Sequence, residues 1–508
     1  MRALTALSLI LLASAAKATP TLPTIPADTF NIISYGAKGD SSTDNATSIQ
    51  KAIAAASSAG GGVVKIPAAT KSYLSGPLTL SSKVNLLIEK GAVLQMLPYG
   101  TYPMLADSSF SPFIGISSLT DVAISGAGTI DGNGNEWWVG YRAGTITKRP
   151  GLILVTKTTR MSITGVHIQN APNVHLSFHY QTSHVTVQNI HIKSPGTSPN
   201  TDGADVEGLH FLFSHDSIEA GDDNIAFQPS HDSTGDITVQ DCFFGVGHGL
   251  SFGSWMQHGV NGLVAIRDTF VGTTSGIRFK AGRDRGGLTA NISYTDFVMT
   301  NVQYPLYITS YYPSVPADPI ADAAQAVTAT TPWWKGITIT NLTSTSSTKG
   351  YRSILIEALP EAVVDSLTLT HVHFTAPDSF TIIHSHNMLF TDVTYNGSAT
   401  NWFGTKYDVT FRSSSSSVAA SSSSNTVVSS SSVVQSSSSI MTVSSSGITS
   451  RILDEGNIAL ENSPIEIFDL LGHRVGSGKN DIQALSRGAW IVVHSTTQGR
   501  QVEIIRIP

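Results

Sequence analysis

Four short polar motifs in one window of this chain could do chemistry. Asn200-Thr201-Asp202-Gly203 comes first, then Gly221-Asp222-Asp223, then Gly247-His248-Gly249, then Arg278-Phe279-Lys280. Carboxylates gathered within a few ångströms cannot all ionise easily, so one of them is pushed to keep a proton. A protonated acid beside an ionised partner suits glycosidic cleavage: one carboxyl protonates the leaving oxygen, the other attacks or activates water. Arg278 and Lys280 alternate across one residue and can face one groove, where they suit an anion, arginine by a two-pronged grip on carboxylate. Gly203, Gly221, Gly247 and Gly249 allow tight bends or close approach of a substrate. Each motif alone reads as a turn or a solvent face. Four in order carry more weight.

What would position them is a repeat. A unit reading apolar-x-apolar-x-Asn/Asp/His recurs as Val185/Val187/Asn189, Phe211/Phe213/His215 and Ile237/Val239/Asp241. It continues as Val264/Ile266/Asp268, Ile292/Tyr294/Asp296 and Ile337/Ile339/Asn341. The first five units start 26, 26, 27 and 28 residues apart. Alternation puts the branched residues on one face of a short strand, and Asn or Asp suits the turn that follows. Such a unit cannot bury its face alone, whereas stacked units share a core, so the expected fold is an all-β, right-handed parallel β-helix. The steps from Asp202 to Asp222, His248 and Arg278 are 20, 26 and 30 residues, each close to one coil. Groups one coil apart sit ~4.8 Å apart along a stack. The spacing therefore gathers three carboxylates, an imidazole and two cations on one outer strip. Asn45 to Ala56 reads as a helix that caps the N-terminal end of the stack. His167, His175, His179, His184 and His191 lack a ligand spacing and read as turn and surface residues.

Composition narrows the classes. Lys and Arg number 30 against 36 Asp and Glu, for a net charge of −6, and only 13% of the 508 residues are charged. A general nucleic-acid binder would carry a basic excess. The single cysteine, Cys242, excludes an internal disulfide and a Cys-clustered zinc site. No Gly-Ser nucleophile elbow appears with His and acid partners, which leaves serine hydrolysis unsupported, and no phosphate-binding loop ending in Lys-Ser/Thr is present. Residues 1–18 read as a secretory signal, with Arg2, an apolar Leu7–Ala16 stretch and a small-residue cleavage site at Ala16-Lys17-Ala18. That run is too short to span a membrane, and no later segment is long and apolar enough to do so. Residues 413–447 are a Ser-rich linker that cannot build a core. The division expected is a catalytic β-helix over 19–412 and a small β-domain over 448–508, with strands around Ile465–Phe468, Leu470–Val475 and Ala489–Val493.

At these motifs the chain resembles glycoside hydrolase family 28, the polygalacturonases and their relatives. The four motifs carry the resemblance, with Phe279 where Ile is usual in the last. Gly126-Ala127-Gly128-Thr129-Ile130-Asp131-Gly132 with Trp137-Trp138, and Phe30-Asn31-Ile32 with Tyr35-Gly36-Ala37-Lys38-Gly39-Asp40, extend it. The resemblance implies that Asp222 is the general acid. It implies that Asp202 and Asp223 position and activate water, and that His248 supports the acid. Asn200, Arg278, Lys280 and Tyr312 become the substrate-binding candidates, with Tyr311 adjacent to the last. It implies inversion at the anomeric carbon, no cofactor and no metal. Asn224 departs from the family, where Cys is common after the GDD motif. The tail resembles the C-terminal β-domains that bacteria use as type IX sorting signals, which implies export or cell-surface machinery as a partner.

The expected protein is thus a secreted or cell-surface bacterial monomer. It hydrolyses an anionic galacturonan, a pectic polysaccharide, and binds no nucleic acid. Alternatives are a hydrolase of xylogalacturonan or rhamnogalacturonan, a calcium-dependent pectate lyase on the same fold, and a non-catalytic pectin-binding β-helix adhesin.

Overall fold

The computed structural model describes residues 19–378, 380–399 and 404–412, and the backbone of five strands between 449 and 507. The signal read at 1–18 and the linker read at 413–447 lie outside the described residues. Thirty-two strands form one sheet whose named pairings are parallel, wound as a right-handed β-helix. The coil repeat is the reason. Val185, Phe211, Ile237, Leu263, Ile292, Ile337 and Leu367 stand in register on successive rungs and are all buried.

One unit is shifted from the sequence expectation. Leu263 and Ala265, and not Val264 and Ile266, face the core. Leu263-Val264-Ala265-Ile266 is apolar throughout, so alternation cannot choose its face, and a slip of one residue flips every side chain. The turn decides it. Asn189, His215, Asp241, Arg267, Asp296 and Asn341 all take a left-handed conformation with φ of 54°, 58°, 57°, 59°, 60° and 55°. Arg267, not Asp268, holds that place in its coil. Asp268 is wholly buried, and its Oδ1 accepts a hydrogen bond from the Cys242 amide at 2.8 Å.

The sheet that faces the motifs contains strands β1 (Leu176–His179), β2 (Ala204–Val206), β3 (Ile225–Phe227), β4 (Leu250–Phe252), β5 (Ser275–Lys280) and β6 (Tyr304–Thr309). They pair in that order. Their inner face is an aromatic stack: Phe227 on Phe252 at 5.0 Å, and Phe252 on Phe279 at 4.5 Å with rings 5° from parallel. Helix α1 spans Ala46–Ser58, and its buried Ile49, Ala52, Ile53 and Ala56 lie against the first rungs. That covers the N-terminal end, as the sequence required. Five further strands, Thr449–Ile452, Ile465–Phe468, Arg474–Gly476, Gly488–Thr496 and Gly499–Ile507, make a separate sheet. No helix among the described residues is long and apolar enough to cross a membrane.

Candidate active site

The motifs occupy the turns that lead into the strands of this ladder, or the strands themselves. Asp202 precedes β2, Asp222 and Asp223 precede β3, His248 precedes β4, and Arg278 and Lys280 stand on β5. One coil per motif thus becomes one rung per motif. Gly221 is needed for the second turn, since a Cβ there would come within 2.0 Å of the Ser198 carbonyl. Asn224, the residue that departs from the family pattern, is wholly buried. Its Oδ1 accepts from the Gly249 amide at 2.7 Å, and its Nδ2 donates to the Ile218 carbonyl at 2.8 Å. It therefore staples the Asp222 turn to the His248 turn, a tie that spacing alone does not reveal.

Asp223 is the electrostatic centre. Its carboxylate is 1% exposed and receives Lys280 Nζ at 2.7 Å, Arg278 at 3.0 Å and Ser251 Oγ at 2.6 Å. Burial alone would raise its pKa, but Lys280, Arg278 and His248 outweigh it and hold Asp223 below the ordinary carboxylate range. Burial would likewise strip Lys280 of its proton, and Asp223 reverses that and raises its pKa. The two cations expected to await a ligand are therefore already engaged by Asp223.

His248 Nδ1 lies 2.8 Å from Asp222 Oδ1 and 3.7 Å from Asp223 Oδ1. That Nδ1 makes no hydrogen bond to either carboxylate. The second oxygen of Asp222 faces Asn200 Nδ2 at 3.4 Å. Arg149, which the sequence did not single out, donates to Asn200 Oδ1 at 2.8 Å and to the carbonyls of Pro172 and Pro199, and so fixes that turn.

Crowding does push one carboxyl up, but it is Asp202. Burial, and then the charges of Asp205, Asp222 and Asp223, raise its pKa well above the usual range. Asp202 is held from behind by His175, which is a correction to the surface role expected for that residue. His175 is wholly buried, and its amide and its Nδ1 both meet the Asp202 carbonyl at 2.9 Å. A carbonyl only accepts, so Nδ1 carries the proton, and Nε2 takes the Ser194 hydroxyl at 2.9 Å. Burial lowers its pKa to about 4, so the ring is neutral at pH 7. No ligand spacing marked it because it binds a main-chain atom.

Tyr312 is half-buried with Lys280 Nζ 5.2 Å from its ring centre, whereas Tyr311 is buried and donates to Asp322. Of the two neighbours, Tyr312 is the one beside the cluster. One ligand atom from each of Asp222, Asp223 and His248 falls within 4.8 Å of the others, as a metal site would need. Lys280 and Arg278 already face both oxygens of Asp223, which disfavours a further cation there.

The family model of glycosyl hydrolases family 28 matches residues 61–379. An endo-polygalacturonase of Pectobacterium carotovorum subsp. carotovorum is 33% identical over 62% of this chain and 80% of its own length. The solved polygalacturonase of Erwinia carotovora ssp. carotovora superposes with a TM-score of 0.60 and 27% identity, over 74% of this chain and 99% of that one. An exopolygalacturonase of Thermotoga maritima shares the fold, with a TM-score of 0.64 at 23% identity over 75% and 94%.

Proposed function

The chain belongs to glycosyl hydrolases family 28, and we propose that it cleaves the α-1,4 bonds of polygalacturonate by direct attack of water, with inversion. The observation that carries this reading is one outward strip in which Asp222 stands beside His248 while Asp223 stands between Lys280 and Arg278. Asp222 is the acid that protonates the leaving oxygen. Asp202 and Asp223 hold and activate the water. His248 and Asn200 orient the acid. Arg278 and Lys280 receive the carboxylate of a galacturonate unit, and Tyr312 lines its neighbour's place.

In the free groove burial, and then the charges of Asp205, Asp222 and Asp223, favour the neutral form of Asp202. Residues 19–412 would be the catalytic unit. The segment 1–18 would direct secretion from a bacterial cell, and 448–508, tethered by 413–447, would serve export or attachment.

A timed digest of polygalacturonate in the presence of a chelator tests the reaction. Reducing ends should appear without an ultraviolet-absorbing unsaturated product, and NMR should show the inverted anomer first. A rapid fall in viscosity would mark internal cleavage, and release of monomer or dimer would mark action from chain ends. An unsaturated product, or activity lost to the chelator, would overturn hydrolysis in favour of elimination.

A further inference from the structure

The turn that carries His248 is gripped by one buried side chain outside the four motifs. Asn224 follows Asp223, and its amide group bonds the main chain on both sides of His248. Ahead of the imidazole, Nδ2 donates to the carbonyls of Gly245 at 3.4 Å and Val246 at 3.3 Å, and it also donates to Ile218 at 2.8 Å. Just after the imidazole, Oδ1 accepts from the Gly249 amide at 2.7 Å. Gly247 lies directly on this amide group, since a Cβ there would come within 2.5 Å of Oδ1 and 2.6 Å of Nδ2. The main chain of Asn224 extends the tie. Its N–H donates to the Gly249 carbonyl at 3.2 Å, and its carbonyl accepts from the Ala204 amide at 3.2 Å, two residues past Asp202. The turns of Asp202, Asp222 and His248 therefore meet at Asn224.

The imidazole has little else to hold it. Its Nδ1 makes no hydrogen bond, although Asp222 Oδ1 is 2.8 Å away. The main chain sets where the ring stands: the His248 amide donates to the Asp222 carbonyl at 2.9 Å, and Asn224 fixes the residues on either side. Answering the Gly249 N–H and the carbonyls at once takes an acceptor and a donor on one short stem. Serine and cysteine offer a single polar atom and cannot span both sides. Aspartate would keep the acceptor but turn a second one toward carbonyls, in a buried place beside Asp222 and Asp223.

We propose that Asn224 is a positioning residue for the cleavage reaction, holding the turn from Gly247 to Gly249 so that His248 stays beside the acid Asp222. The inference rests on the reading of Asp222 and His248 as partners in hydrolysis. Asn224 is wholly buried and touches no substrate, so its effect on the reaction passes through His248. Its main-chain bonds to Ala204 and Gly249 do not depend on the side chain, so a substitution acts on the His248 turn.

A double-mutant cycle in the full-length chain tests this, with polygalacturonate as substrate and each protein assayed well below its melting temperature. Asn224→Ser should lower kcat by about 10²-fold, the cost of a misplacement of about 1 Å, with KM unchanged. In the His248→Ala background the same substitution should cost little more, because the group it positions is gone. A merely structural role would multiply the two kcat losses. Asn224→Cys, with the residue common at this place in the family, supplies the same comparison if the serine variant does not fold. Proton–carbon NMR of labelled histidine gives a readout without turnover. The cross-peak that disappears in His248→Ala belongs to His248, and it should shift or broaden in Asn224→Ser while the imidazoles of distant rungs keep theirs. Multiplied kcat losses, a parental kcat in the Asn224 variants, or an unmoved His248 peak overturns the proposal. If the unmodified chain does not turn over polygalacturonate, the cleavage reading fails, and the His248 peak then decides whether Asn224 holds the ring.

Discussion

The groove and the inside of the stack both bury carboxyl groups, and of these two settings the groove is the one built to react. In the groove, Asp202, Asp222 and Asp223 converge with His248, Arg278 and Lys280 at the edge of solvent. Inside the stack, Asp216, Cys242 and Asp268 stand one coil apart, each just after a left-handed turn residue. Burial raises Asp216 well above the usual range, pushes the Cys242 thiol up and brings Asp268 to about 8. Yet these inner acids only cap main-chain amides. Asp216 accepts from Ile190 and Ser214, and Asp268 accepts from Cys242. A displaced proton affinity marks burial. What marks the site is that acid, base and cations of different rungs meet on a face open to a ligand.

The sharpest test of the contrast is Asp222→Asn. Turnover of polygalacturonate should drop by about 10²–10⁴, the usual worth of a general acid, while the melting temperature stays within a degree or two. Near-normal activity would place the acid elsewhere.

Lys280→Met strikes the pairing that distinguishes the groove. Asp223 would keep Arg278 but lose its 2.7 Å partner in a buried setting, where removal of one member of an ion pair costs about 3–5 kcal/mol. Denaturant unfolding should show that loss. The acidic limb of the pH–rate profile should also move to higher pH as Asp223 becomes harder to ionise, and KM should rise. A change confined to KM would mean that Lys280 serves the ligand alone.

Asp268→Asn probes the inner acid. Asp268 is raised in the folded state, so its contribution is full below the unfolded value near 4 and is lost as pH rises toward about 8. The slope is at most about 1.4 kcal/mol per pH unit. The amide keeps an oxygen for the Cys242 N–H and cannot ionise, so the variant should melt higher than the parent at pH 8 and alike at pH 4, with unchanged kcat. Parallel melting curves at both pH values would show that Asp268 does not titrate in this window.

The smallest effect belongs to the surface. Arg267 grips Asp241 on the rung below through two contacts at 2.6 Å, but its side chain is 47% exposed. Arg267→Gln should cost no more than about 1 kcal/mol and vanish in high salt.

The residues that the sequence marks by spacing are those the structure brings together. Asp202, Asp222, Asp223, His248, Arg278 and Lys280 recur at one coil, and a stacked coil turns equal spacing into adjacency. Helix α1 at the N-terminal end was legible from its apolar face and from the need to cover the stack. The face of Leu263 was not, because an unbroken apolar run has no phase. His175, Arg149 and Asn224 escaped because their partners are main-chain atoms or a neighbouring motif's side chain, which no residue pattern names. The sequence by itself determined which groups share a strip, since periodicity along the chain is conserved when the chain coils. Only the tertiary structure decided that Asp223 already holds both cations and that burial and its charged neighbours raise the proton affinity of Asp202. Those outcomes depend on burial and on distances between rungs, and Coulomb and desolvation energies follow distance and dielectric rather than order along the chain.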